Sequence, residues 1–161
     1  MALYHFSVRH VSRGKGQMVI ASAAYISGQR IFDSYYNKIH DYTSKSGVVF
    51  TEILTPEYVP ERLTDRETLW NEVEHVERNN KAQLAYSFDI ALQNELTLEE
   101  NIRLAKEFCQ EQFVARGMIV DLAIHEGKSD NEEEPDNPHF HVLVPIRPFT
   151  EEGIWGNKQR R

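Results

Sequence analysis

The sequence predicts an α+β fold, a central antiparallel sheet of about five strands with helices packed mainly on one face. Three observations predict it. Runs of alternating apolar and polar residues mark strands, and segments of helical periodicity lie between them. The last two strand-like runs are joined by a loop too short for a helical crossover, so they should pair as an antiparallel hairpin.

Residues 2–11 alternate and read as the first strand, and Ser12 to Gln17, with two glycines, as a turn. Val19 to Ser27 is alanine-rich and reads as a short helix stopped by Gly28. Residues 30–46 are polar and aromatic and show no clear periodicity. Gly47 leads into a second strand, Val48 to Leu54, and Pro56 and Pro60 break the chain after it. Thr64 or Asp65 can cap a helix running to about Asn79, with Leu69, Trp70, Val73 and Val76 on its buried side. Leu84 to Leu92 is a third strand. Thr97 and Glu100 form a capping box that opens a long helix to about Arg116, its core side Ile102, Ala105, Phe108, Cys109 and Phe113. Gly117 ends that helix, Met118 to His125 is a fourth strand, 127–138 an acidic loop, and His139 to Arg147 a fifth strand. The whole of 1–161 reads as one domain, and its ending in Asn157-Lys158-Gln159-Arg160-Arg161 suggests an N-terminal fragment of a longer protein.

With 40% hydrophobic and 11% aromatic residues the chain can build a core, which argues against wholesale disorder. No run reaches the roughly 18 apolar residues of a membrane span. Cys109 is the only cysteine, which excludes an internal disulfide and fits a reducing cytoplasm. The net charge of -7 runs against a nucleic-acid partner, but it is uneven. Acid gathers at Glu95, Glu99 and Glu100 and at Glu132, Glu133, Glu134 and Asp136; positive charge gathers at Arg9, His10, Arg13 and Lys15 and at Lys158, Arg160 and Arg161. Salt screens exposed charges beyond about 8–10 Å, so the local balance matters more than the total.

Three sets of residues can carry chemistry. His139 and His141 are two apart on a strand and so share a face, and His125 ends the strand expected to pair with it. Three converging neutral imidazoles suit a divalent metal with positions left open; the alternative is a solvent-facing pair with His125 unrelated. Tyr25 sits among small residues, Ala21, Ser22, Ala23 and Ala24, where another backbone or a nucleic-acid strand can come close. The alternative is a tyrosine packed at the edge of the core. Asp89 lies in the middle of an apolar strand, which is costly unless it is paired or near a metal; the alternative is a sheet face open to solvent.

ASAAYISGQR, HDYTSKSGVVFTEIL, FDIAL followed by NELT, EQFVARGMIVDLAIHE and NPHFHVLVPIR together resemble the MobA/MobL (MobQ-type) plasmid relaxases, members of the HUH endonucleases. The resemblance runs over nearly the whole chain in the family's order. It implies an HUH relaxase/Rep-like sheet, with Tyr25 as nucleophile and His125, His139 and His141 as ligands of Mn²⁺ or Mg²⁺. It also implies that Asp89 orients a ligand or assists proton transfer. Gln93 stands where the family usually has proline, and the loop from Asp130 to Asp136 is more acidic than is typical.

The activity implied is nicking of one strand at a plasmid origin of transfer, leaving a 5′-phosphotyrosine and initiating conjugative mobilisation. Relaxosome accessory and coupling proteins are the implied partners. Arg9, Arg13, Lys15, Arg147, Lys158, Arg160 and Arg161 are candidate phosphate contacts, and Tyr35, Tyr36, Tyr42 and Trp155 candidate stacking partners for single-stranded DNA. Two other readings stay open: a three-histidine metal enzyme acting on a small molecule, which has no need of Tyr25, and a non-enzymatic nucleic-acid-binding module, which has no need of a metal.

Overall fold

The computed structural model describes residues 6–128 and 136–158; Arg160, Arg161 and the acidic residues Asp130, Glu132, Glu133 and Glu134 lie outside them, as do residues 2–5 of the expected first strand. Five strands form an antiparallel sheet: β1 (Phe6–Ser12), β4 (Val48–Leu54), β5 (Gln83–Ala91), β6 (Val120–His125) and β7 (His139–Pro145). Their spatial order is β1-β5-β7-β6-β4. The expected hairpin is present, with Ile124 opposite Phe140 and His125 opposite His139.

Alternation along these strands sorts their side chains to two faces. On one face, helix α1 (Val19–Ser27) and helix α2 (Arg66–Val76) bury Val19, Ile20, Ala23, Leu69 and Trp70 in a core that includes Ala123 and Leu143. On the other, helix α3 (Leu98–Gln112) sets Ala105 and Cys109 in a core with Leu122, Ile124, Phe140 and Val142. Two of the three helices thus share a face, and the third closes the opposite one.

Local chemistry sets the helix ends. Asp65 accepts a hydrogen bond from the Thr68 N–H and caps α2, and the Thr97–Glu100 box opens α3. Helix α1 ends where Gly28 takes a left-handed conformation, φ 66°, its N–H bonding to the Ala24 carbonyl. Helix α3 tightens into a 3-10 turn over Val114–Arg116. Helix α2 stops at Val76, short of the expected Asn79. Arg13 is the reason: its guanidinium donates to the carbonyls of Glu74 and Glu77 (both 2.8 Å) and of Asn79 (3.0 Å), so the chain there leaves the helix with those acceptors satisfied.

The stretch without periodicity, 30–46, contains a separate hairpin of β2 (Arg30–Asp33) and β3 (Lys38–Asp41). Its four-residue strands are too short to show a period. Its turn is built by Asp33, whose Oδ1 accepts from the Tyr35 and Tyr36 N–H groups, and by Asn37 at φ 53°.

A buried ion pair joins α2 to the sheet. Arg66 Nε and Trp70 Nε1 each donate to Asp121 Oδ2 at 2.8 Å, and Asp121 is fully buried. Arg66 and Trp70 are four residues apart and so lie on one side of the helix. No helix of the described residues is long and apolar enough to cross a membrane.

Candidate functional site

The pairing of β5, β6 and β7 gathers the titratable residues. His125 lies opposite His139, while His141 lies between Ala123 of β6 and Asp89 of β5. Partners across a strand share a face, so all four side chains project to the face that carries α1. The three imidazoles stand at ring-centroid separations of 4.5, 4.9 and 5.2 Å, and one nitrogen from each lies within 4.8 Å of the others.

Two of the rings have their tautomers set by carbonyls. His125 Nε2 donates to the Ile26 carbonyl at 2.8 Å, and His139 Nδ1 donates to the Asn137 carbonyl at 2.9 Å. Each ring therefore keeps a lone pair on its other nitrogen, the outer-shell arrangement that orients metal-binding histidines. Burial holds His125 below its ordinary value, and burial, with His125 alongside, takes His141 down to about 4. Both are neutral at pH 7, the form that coordinates. Nitrogens bound to one divalent ion lie roughly 3–3.4 Å apart, so shifts of up to about 1 Å per ring would close the cluster on a metal. The donor set fits a divalent metal.

Asp89 is half-buried, outside the histidine cluster but near enough for its charge to favour protonation of His125 and His141. Tyr25 lies in the last turn of α1 and is 49% exposed. The carbonyl that His125 grips belongs to the next residue, Ile26. The ring of Tyr25 meets Tyr42 edge-on at 5.3 Å, and Lys45 Nζ lies 3.5 Å from its centroid. Lys45 was not singled out from the sequence; its only signal there is its place in the segment HDYTSKSGVVF.

The candidate phosphate contacts divide. Arg9 and Lys15 are exposed, and Arg9, opposite Ser87, shares the face of Asp89 and the histidines. Three others are engaged within the fold. Arg13 is buried and ion-paired with Glu74, beneath the ring of Tyr35. Arg147 pairs with Glu77 at 2.7 Å and donates to the Gly156 carbonyl, and Lys158 pairs with the same Glu77 at 3.3 Å. These cations neutralise carboxylates within the fold. Trp155 donates to Glu72 and packs against Phe149, and Tyr42 packs against the core, so both serve the interior. Burial pushes the Cys109 thiol up to about 12, which leaves it inert as a nucleophile.

Comparison with known proteins agrees with this architecture. The model of the MobA/MobL family matches residues 17–161. The conjugal transfer protein TraA of Agrobacterium fabrum is 36% identical over 98% of this chain, which spans 15% of that protein. The mobilization protein MobL of Acidithiobacillus ferridurans is 32% identical over 96% of this chain, which spans 41% of its length. A solved structure described as "Molecular Basis of Vancomycin Resistance Transfer in Staphylococcus aureus" superposes with a TM-score of 0.86 at 38% identity, covering 99% of this chain and 78% of its own. The chain is a member of the MobA/MobL family.

Proposed function

We propose that this chain is the nicking domain of a plasmid relaxase, acting in the cytoplasm on one strand of an origin of transfer. The observation that carries this reading is the convergence of three imidazoles at the end of the helix that bears an exposed phenol, with His125 bonded to the Ile26 carbonyl one residue beyond Tyr25. A small-molecule metal enzyme would have no use for that phenol. The names of the relatives, conjugal transfer and mobilization proteins, agree with it.

In this reading Tyr25 Oη attacks the scissile phosphorus. An Oη–P bond forms, the bond from phosphorus to the 3′ oxygen breaks, and the proton lost by the phenol is balanced by the one gained by the new 3′ hydroxyl. One phosphodiester replaces another, so the step can run backwards and rejoin strands. An isolated phenol reaches its phenolate at pH 7 only at about 4 kcal/mol, so the site must favour the ionised ring or its transition state. A divalent metal, Mn²⁺ or Mg²⁺, held by His125, His139 and His141 would supply charge stabilisation at the phosphate. Asp89 would orient His141 across the β5–β7 register. Arg9 and Lys15 would contact the backbone of the strand, and relaxosome accessory and coupling proteins would be partners of the longer protein.

The test is incubation with single-stranded origin DNA and Mn²⁺, followed by mass spectrometry of the digested protein. The expected result is a nucleotide adduct on the peptide containing Tyr25; an adduct at another residue, or none with any origin strand, ends the proposal. The metal reading is tested apart from catalysis. Loss of an outer-shell partner costs about 10–100-fold in metal affinity, so removing a ligand should cost more. His141→Ala is therefore expected to weaken Mn²⁺ binding by at least about 100-fold in calorimetric titration. Unchanged affinity would remove the histidines from the metal site.

A further inference from the structure

Tyr25 is carried by a helix that offers its ring almost no wall. Its nearest neighbours along α1 are Ser22, Ala21, Ala24 and Ala23, and half of its side chain faces solvent. What touches the ring comes instead from the segment between β3 and β4. Tyr42 meets it edge-on, with the two planes at 88°, and the Lys45 ammonium lies over its face at 3.5 Å. That segment is itself anchored. The Tyr42 N–H donates to the Gln29 carbonyl just past the end of α1, and the Lys45 N–H donates to the Tyr42 carbonyl. Lys45 is half-buried, and among the described residues it forms no ion pair, so its charge is not neutralised by a carboxylate. The same charge opposes protonation of His125 and His141, so the ammonium that lies over the Tyr25 ring is also within electrostatic reach of the histidine cluster.

We infer that Lys45 is a positioning residue for Tyr25, restraining the nucleophile's ring through a cation–π contact. The inference rests on the reading of Tyr25 as nucleophile. A cation over an aromatic face is attracted by the ring's negative quadrupole, more strongly where the pair is partly desolvated. The contact limits the freedom of an otherwise exposed side chain, and fixing a reactant in place is a large source of rate. Arginine, which also stacks its cation on aromatic faces, should preserve the contact; methionine, with similar reach and no charge, should not.

The experiment has two arms. In the first, NMR follows the Lys45 side-chain resonances of the protein without metal or DNA. They are expected upfield, shielded by the ring of Tyr25, and should move to unshielded positions in Tyr25→Ala. In the second, a randomised single-stranded DNA pool is enriched for strands captured covalently by the parent protein in Mn²⁺. Single-turnover adduct formation on those strands is then compared among variants. Lys45→Met is expected to slow the step by about tenfold, the equivalent of a cation–π contact of somewhat over 1 kcal/mol, while Lys45→Arg stays within about threefold of the parent. Binding of the same strands, measured with Tyr25 replaced by Phe, should change by less than about twofold on adding Lys45→Met. Lys45 resonances indifferent to Tyr25→Ala would overturn the inference, and so would an unaltered rate in Lys45→Met. A loss of binding as large as the loss of rate would overturn it too, making Lys45 a phosphate contact. If the parent captures no strand at all, the nucleophile reading fails and takes this role with it; if the parent reacts and only the Lys45 predictions fail, that reading survives.

Discussion

Tyr25→Phe is expected to bind single-stranded origin DNA as the parent does and to form no covalent adduct on denaturing gels. Removal of a covalent nucleophile lowers turnover in well-studied enzymes by about 10⁴–10⁶-fold, and a loss of that order is expected here. The substitution is a clean probe because of where the hydroxyl sits. The side chain is 49% exposed, and among the described residues the hydroxyl has no hydrogen-bond partner. Phenylalanine keeps the ring beside Tyr42 and under Lys45, so stability should change by less than about 0.5 kcal/mol. A gel-shift titration and a thermal melt run together separate lost chemistry from lost folding. Covalent capture of DNA by the phenylalanine variant would discard Tyr25 as the attacking group.

The second large effect is structural. Asp121→Ala should destabilise the fold by about 3–5 kcal/mol, the range seen when one partner of a buried ion pair is removed. Two donors lose their acceptor at once: the Arg66 guanidinium, which is left charged inside the protein, and the indole N–H of the fully buried Trp70. For a chain of this size that corresponds to a fall in melting temperature of roughly 6–20 °C. Replacing Asp121 and Arg66 together with apolar residues should recover much of the loss, because no charge is then stranded. Urea unfolding followed by circular dichroism measures both variants. A single substitution costing less than about 1 kcal/mol would show that the pair contributes little.

Most of the scaffold was legible from local pattern. The alanine-rich segment with its terminal glycine marks α1, the alternation from Val48 to Leu54 marks β4, and the Thr97–Glu100 pair marks the start of α3. The histidine convergence was legible too, because spacing by two on one strand and a short connection to the strand before it fix which side chains share a face. What escaped was long-range. Arg13 meets Glu74 across 61 positions, and Arg147 meets Glu77 across 70; nothing local separates such paired cations from free ones. The early stop of α2 has the same origin, since the groups that end it are bonded from the other end of the chain. The hairpin β2–β3 escaped for a different reason: its strands are shorter than two full periods of helix or more than two of strand, so periodicity has nothing to sample. Lys45 combines both difficulties, sitting in an irregular segment and acting on a helix twenty positions earlier.

The bond from His125 to Ile26 places a constraint on main chain instead of on a side chain. Any apolar residue at position 26 presents the same oxygen, so comparison of side chains alone would overlook it. What cannot drift is the point at which the helix releases its carbonyls, and Gly28, in a conformation other residues rarely adopt, sets that point. Gly28 thereby governs the aim of the His125 imidazole, and lengthening α1 by a single turn would be felt first as the loss of that bond.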